Sequence, residues 1–209
     1  MQPSDALRAL EARELEQLAE GAGCRVLGRS TLNDGDRVWP VVEMECGDNA
    51  NAIKFLNGAA VRDAGHPEVR DLSLRLRRAH TTPAAFGAAV QAFVKALVRF
   101  VRETRETFQH TLYSLRRHAG DCDDHARAVV ALVRGAGFRA QLVGVKNAQG
   151  KIAHVAPLLS DGKRWIWAET TVDARFGEHP RAAAKRLGLT HARPDIWAER
   201  RTGPAHAAP

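Results

Sequence analysis

At 209 residues, 44% hydrophobic and 26% charged, the chain has the make-up of an ordinary globular protein able to bury a real core. No run of about 18 apolar residues occurs, so no spanning helix is expected and no membrane partner is assigned, and Met1-Gln2-Pro3-Ser4-Asp5-Ala6-Leu7 lacks the charged-then-apolar layout of an export signal. The net charge of +7 raises nucleic acid as a partner, but the arginines are scattered over helix faces, aromatic residues are only 6%, and no finger or stacking motif is present; a solvated surface is the better reading.

Ser4 or Asp5 can cap a first helix in which Leu7, Leu10, Leu15 and Leu18 recur at helical spacing up to Gly21-Ala22-Gly23. Cys24 to Leu27 and Arg37 to Cys46 read as strands joined by the turn Asn33-Asp34-Gly35-Asp36. In the second strand Val38, Pro40, Val42, Met44 and Cys46 share one face, and Pro40 marks an edge. Helices follow around Ala52–Leu56, after Pro67, and after Thr81-Thr82-Pro83. The last carries an apolar stripe of Phe86, Val90, Phe93, Val94, Leu97, Val98 and Val101, read as core.

After Cys122 the pattern changes. Ala126 to Val133 is an apolar helix stopped by Gly135-Ala136-Gly137. Ala140–Val145, Ile152–Leu159 and Arg164–Ala168 then read as strands with turns at Gln149-Gly150 and Asp161-Gly162, and Pro180–Leu187 as a short helix. Helices followed by an antiparallel meander make an α+β protein. The expected organisation is an N-terminal α/β extension over 1–50, a main domain over 51–190, and a frayed tail over 191–209. Cys24, Cys46 and Cys122 are too few and odd in number for a disulfide framework, which points to a reducing compartment such as the cytoplasm.

Gly120-Asp121-Cys122-Asp123-Asp124-His125 is the most telling stretch, because it sets a thiol in the first turn of a helix. There, unpaired backbone N–H groups and the positive end of the helix dipole favour thiolate, the nucleophilic form. His154 begins an apolar strand downstream, and Glu169 ends the run Trp165-Ile166-Trp167-Ala168. Cysteine, histidine and carboxylate are the parts of an activated-thiol acyl-transfer site. Cys122 as a buried structural cysteine is the rival reading, opposed by its polar neighbours. Asp121, Asp123 and Asp124 suit helix capping, with a calcium ion as the alternative. Their negative charge opposes a thiolate, so an imidazolium partner is required. His125, one turn from Cys122, is the rival base. A zinc site of Cys122, His125 and His154 lacks any paired-ligand spacing.

The ordered set Gly-Asp-Cys-Asp-Asp, a strand histidine, and Trp-x-x-x-acid resembles the transglutaminase-like superfamily of papain-type thiol enzymes, in particular its short bacterial and phage-encoded members. Val98 to Glu103, Glu106-Thr107-Phe108-Gln109, Gly137-Phe138-Arg139-Ala140 and His154-Val155 extend the likeness over about 50–189. The resemblance implies a papain-like core with the nucleophile-bearing helix packed on an antiparallel sheet. It also implies Cys122 as nucleophile, His154 as general base and then acid, and Glu169 as the residue orienting His154. By analogy, Gln109 joins the Cys122 N–H as an oxyanion donor. Two departures stand out: Glu169 replaces the usual aspartate, and Thr170 the usual proline. No cofactor is implied. The expected activity is acyl transfer or hydrolysis on a peptide or protein amide, with water favoured over an amine acceptor. The alternative is a non-catalytic module in phage virion assembly, which would place the protein in a virion with assembly partners.

Overall fold

The computed structural model describes residues 3–35, 37–101, 108–146 and 152–187. The expected tail over 191–209, the Gln149-Gly150 turn, and the motif residues Arg102, Glu103, Glu106 and Thr107 lie outside the described residues.

Helix α1 (Pro3–Gly21) leads into a hairpin of β1 (Cys24–Asp34) and β2 (Arg37–Cys46), turned at Gly35, whose φ of 59° favours glycine. On α1, Leu15 is buried and Leu18 packs on the core as their spacing predicts, but Leu10 is 54% exposed and its place is taken by Ala12 and Ala19. β2 departs as well. Trp39 and Val41 are buried along with Val42, because the Trp39 ring stacks on His110 with centroids 4.7 Å apart and docks that face of the hairpin.

The cysteine count misled. Cys24 and Cys46 are directly opposite in the antiparallel register and form a disulfide, so the odd residue is simply the free Cys122. Only the register of the hairpin brings together two sulfurs 22 positions apart in sequence. The inference of a reducing compartment loses its support, since disulfides persist in oxidising surroundings. Among the described residues, no helix is long and apolar enough to cross a membrane.

Three helices follow: α2 (Asn49–Gly65), α3 (Pro67–Ala79) and α4 (Pro83–Leu97). Asp48 caps the first through Asn51 N–H, and Thr82 caps the third through Ala85 N–H, each supplying an acceptor that the first turn lacks. The α4 stripe is core: Phe86, Val90 and Val94 are fully buried. Gly87 lets α4 approach the sheet, since a Cβ there would lie 2.7 Å from Leu159 Cδ2. Two elements were not foreseen, the short parallel pair β3 (Arg99–Phe100) with β4 (Ala119–Gly120), and α5 (Thr111–Arg117) between them.

At the centre is α6 (Cys122–Gly135), whose residues from Ala126 to Val133 are at most 2% exposed, Arg127 included. Such a helix needs neighbours on every side. It has them in α2, α3, α4, α5 and the antiparallel sheet of β5 (Ala140–Lys146), β6 (Ile152–Ser160) and β7 (Trp165–Trp167). α7 (Pro180–Arg186) closes the described chain. One continuous core joins Leu15 and Trp39 to Val129 and Ile166. Asn57 of α2 stitches helix to sheet, its amide donating to Leu142 O and accepting from Leu142 N–H, both at 2.9 Å.

Candidate active site

Cys122 is the first residue of α6, half-buried, and the free cysteine among the described residues. Its placement depends on a reciprocal cap. Asp121 accepts from Asp123 N–H at 3.2 Å, and the Asp124 carboxylate accepts from Asp121 N–H at 3.3 Å. The other Asp124 oxygen accepts from Gln109 N–H at 3.0 Å, tying the 108–111 segment to the same helix end. Gly120 makes room, because a Cβ there would lie 2.7 Å from Asp124 Cβ.

A cleft of about 270 Å³ opens over this helix end, lined by Cys122, His154, Phe108, Asn49, Ala52 and Asp123 among others. His154 enters from β6 and shares a hydrogen bond with the Cys122 sulfur. Its Nε2 lies 2.6 Å from Glu169 Oε2, which leaves Nδ1 for the sulfur. Both partners of that pair are buried. Burial opposes charge on the ring, but Glu169 and the hydrogen bonds to Cys122 and Glu169 outweigh it and carry the His154 pKa up to about 10. Burial would likewise raise Glu169; His154 and the Thr171 donors prevail and hold it below the ordinary carboxylate range. The pair is an imidazolium–carboxylate at neutral pH.

Both departures from the usual pattern are accommodated locally. The longer Glu169 side chain is held by Thr171 as well as by His154, its Oε1 accepting from Thr171 N–H at 2.6 Å and from the Thr171 hydroxyl at 2.7 Å. Thr170, in the proline position, places its hydroxyl 3.2 Å from His125 Nδ1. That contact turns His125 toward Thr170. Its ring is buried, does not line the cleft, and has a pKa lowered chiefly by that burial.

Asp123 is 2% exposed, and its Oδ2 has no hydrogen-bond partner among the described residues. Burial first, then the hydrogen bond with Asp121 and the nearby negative charges, push its pKa well above the carboxylate range. The raised pKa of Asp123 weakens the repulsion that three adjacent acids would exert on a thiolate, and the two N–H donors on Asp124 offset part of its field. Asp121, Cys122 and Asp123 offer donor atoms within 4.8 Å of one another, but Asp121 is already engaged in the cap.

Gln109 is 1% exposed and does not line the cleft; its side-chain carbonyl lies 3.4 Å from the Ser114 hydroxyl, which donates to it. The 108–111 segment is held from below by residues that sequence reading passed over. Arg127 of α6 makes a two-pronged pair with Asp63 of α2, both contacts at 2.9 Å, and donates to Phe108 O at 3.0 Å. Asp63 also accepts from Thr111 N–H at 2.9 Å and lies 3.2 Å from His110 Nε2. Burial would raise Asp63, but Arg127 and His110 hold it far below the carboxylate range. Burial, reinforced by the neighbouring arginines against the pull of Asp63, pushes His110 down to about 4. Gln91, a lone amide in the apolar stripe of α4, donates to Glu169 O at 2.7 Å and fixes that backbone. The only sequence signals were an arginine inside a buried helix and a glutamine on a core face.

The family profile of the transglutaminase-like superfamily matches residues 70–175, just over half of the chain. No curated protein matches. Among solved structures, a candidate protease from Parabacteroides distasonis aligns at 12% identity and a TM-score of 0.49 over 70% of this chain and 38% of its own. A second, described as a TGase, aligns at 16% identity and a TM-score of 0.38 over 81% of this chain and 51% of its own. The chain therefore spans about half or less of either neighbour.

Proposed function

The chain belongs to the transglutaminase-like superfamily, and on that premise we propose that it is a thiol-dependent enzyme acting on peptide or protein amides. Cys122 is the nucleophile, His154 the proton carrier, and Glu169 the residue that holds the imidazolium in place. The observation that carries this reading is the continuous relay from Cys122 through His154 to Glu169, opening onto a cleft.

The Cys122 sulfur adds as the thiolate to the amide carbonyl carbon, with the His154 imidazolium alongside, and the carbonyl π electrons move to oxygen. The oxyanion forms at the start of α6, where the N–H of Cys122 lacks an intrahelical acceptor and the helix dipole is positive. A donor of this kind contributes about 3 kcal/mol in the transition state. Collapse of the adduct breaks the C–N bond as His154 passes its proton to the departing amine, leaving a thioester on Cys122. Neutral His154 then takes a proton from water, hydroxide attacks the thioester, and the acid leaves as the thiolate–imidazolium pair is restored. An amine in place of water would give transamidation. Water is the acceptor proposed here, since nothing in the cleft marks an amine site.

Iodoacetamide labelling near neutral pH, without reductant, tests this. Cys122 should alkylate rapidly, and His154→Ala should slow it roughly 100-fold or more and abolish amide turnover. If His154→Ala labels as fast as the parent, the protein is a non-catalytic module and assembly becomes the better reading.

A further inference from the structure

The cleft at Cys122 continues past the residues the mechanism uses. Asn49, Ala52 and Phe108 line it and also line an adjoining cavity of about 340 Å³ whose far wall is the N-terminal hairpin. Together they form one trough from the sulfur, past the Phe108 ring, to β2. Its hairpin end carries an apolar wall of Leu27, Val41, Val42 and Met44, with Ser30 and Glu43 beside it. Leu27 departs from the hairpin's own geometry. The ladder skips it between Val26 and Gly28, and this bulge leaves it 58% exposed on the cavity rim. Bulges recur beside active sites because they redirect a side chain that a regular strand would point elsewhere.

We propose that this trough is a specificity subsite: it seats a bulky apolar side chain of the polypeptide whose amide Cys122 attacks. The proposal rests on the acyl-transfer reading above. Continuity identifies the occupant. A chain bonded to the Cys122 sulfur is tethered at one end of the trough, and the apolar wall beyond Phe108 lies within its reach. Burying one leucine- or phenylalanine-sized side chain there should favour binding about 10- to 100-fold. The hairpin lies outside the residues matched to the family, so the selectivity belongs to this chain's own N-terminal portion.

Alkyl methanethiosulfonates probe the trough without a known substrate, since each forms a disulfide with Cys122, releases methanesulfinate, and extends its alkyl group from the sulfur. With rates normalised to glutathione, a 3-phenylpropyl reagent should label the parent protein about 10- to 100-fold faster than the methyl reagent. Leu27→Asp and Met44→Asp should bring that ratio close to one while leaving the methyl rate unchanged. Leu27 is exposed, so its replacement does not threaten the fold. An octapeptide with a central leucine should slow methyl labelling, and its aspartate counterpart should not. A parent ratio near one, a ratio unmoved by both variants, or a concentration-dependent dimer that Met44→Asp dissolves would overturn the subsite. The methyl rate and its dependence on His154 report the acyl-transfer reading separately.

Discussion

Two buried histidine–carboxylate pairs lie close to α6, and they end in opposite charge states. His154 beside Glu169 is driven up to about 10, whereas His110 beside Asp63 is driven down to about 4. Burial disfavours the cation in both, so burial does not separate them. The count of partners does. Asp63 already has the Arg127 guanidinium in a two-pronged contact, and a second cation beside it is repelled by Arg127 and Arg62. Among the described residues Glu169 is paired with no arginine; its other donors are the Thr171 N–H and hydroxyl, which stabilise its charge without competing for it. One pair leaves its histidine neutral beside an arginine-bound carboxylate, and the other holds a histidine cation, as the proposed reaction requires.

Removing the charge of Glu169 should break the contrast with the largest effect. Glu169→Gln keeps the shape but returns His154 toward ordinary histidine behaviour, with turnover falling by up to about 10⁴-fold. In the parent, the stability supplied by the raised His154 is complete below about 6.5 and is lost as pH rises through about 10. Amide turnover should fall through the same window, and in Glu169→Gln that alkaline limb should move to lower pH. An unmoved limb in pH–rate profiles would show that Glu169 does not set the histidine.

Arg127→Met should convert the neutral-histidine pair toward the charged kind. Loss of the guanidinium leaves Asp63 to recruit His110, whose pKa should climb from about 4 past its ordinary value. Leaving a buried carboxylate without its main partner should lower stability by roughly 3–5 kcal/mol. Histidine titration by NMR and urea unfolding read the two effects. In the parent, the depressed His110 contributes stability that is present above about 6.5 and fades as pH falls through about 4. A His110 that stays near 4 in the variant would mean that burial alone sets it.

The smallest effect is expected at the disulfide, which touches neither pair. Cys24→Ser with Cys46→Ser releases a loop closure across 22 residues, worth about 3 kcal/mol on chain-entropy grounds. Urea midpoints should drop while both histidine pKa values hold, and a shift in either would couple the hairpin to the site.

Much of this was legible in the chain. The capped thiol, the strand histidine and the terminal acid each sit where a local rule puts them, and the meander followed from its turns. What stayed hidden is contact between distant elements. Nothing near Cys24 announces Cys46, because their meeting depends on hairpin register. Arg127 read as an ordinary helix residue, since its partner lies 64 positions away on α2. The tie between the Gln109 backbone N–H and Asp124, and the one between its side chain and Ser114, likewise cross between elements and carry no local signal.

α2 has a further consequence. It precedes the family-matched residues, yet it supplies Asp63 for Arg127, the Asn57 amide that pairs with β5, and the fully buried Leu56 and Ala59. A protein trimmed to residues 70–175 would keep a guanidinium stranded in its interior and expose a raw β5 edge, open to pairing with neighbouring molecules. The smallest portion able to stand alone therefore begins before α2, and homology boundaries are a poor guide to where this chain can be cut.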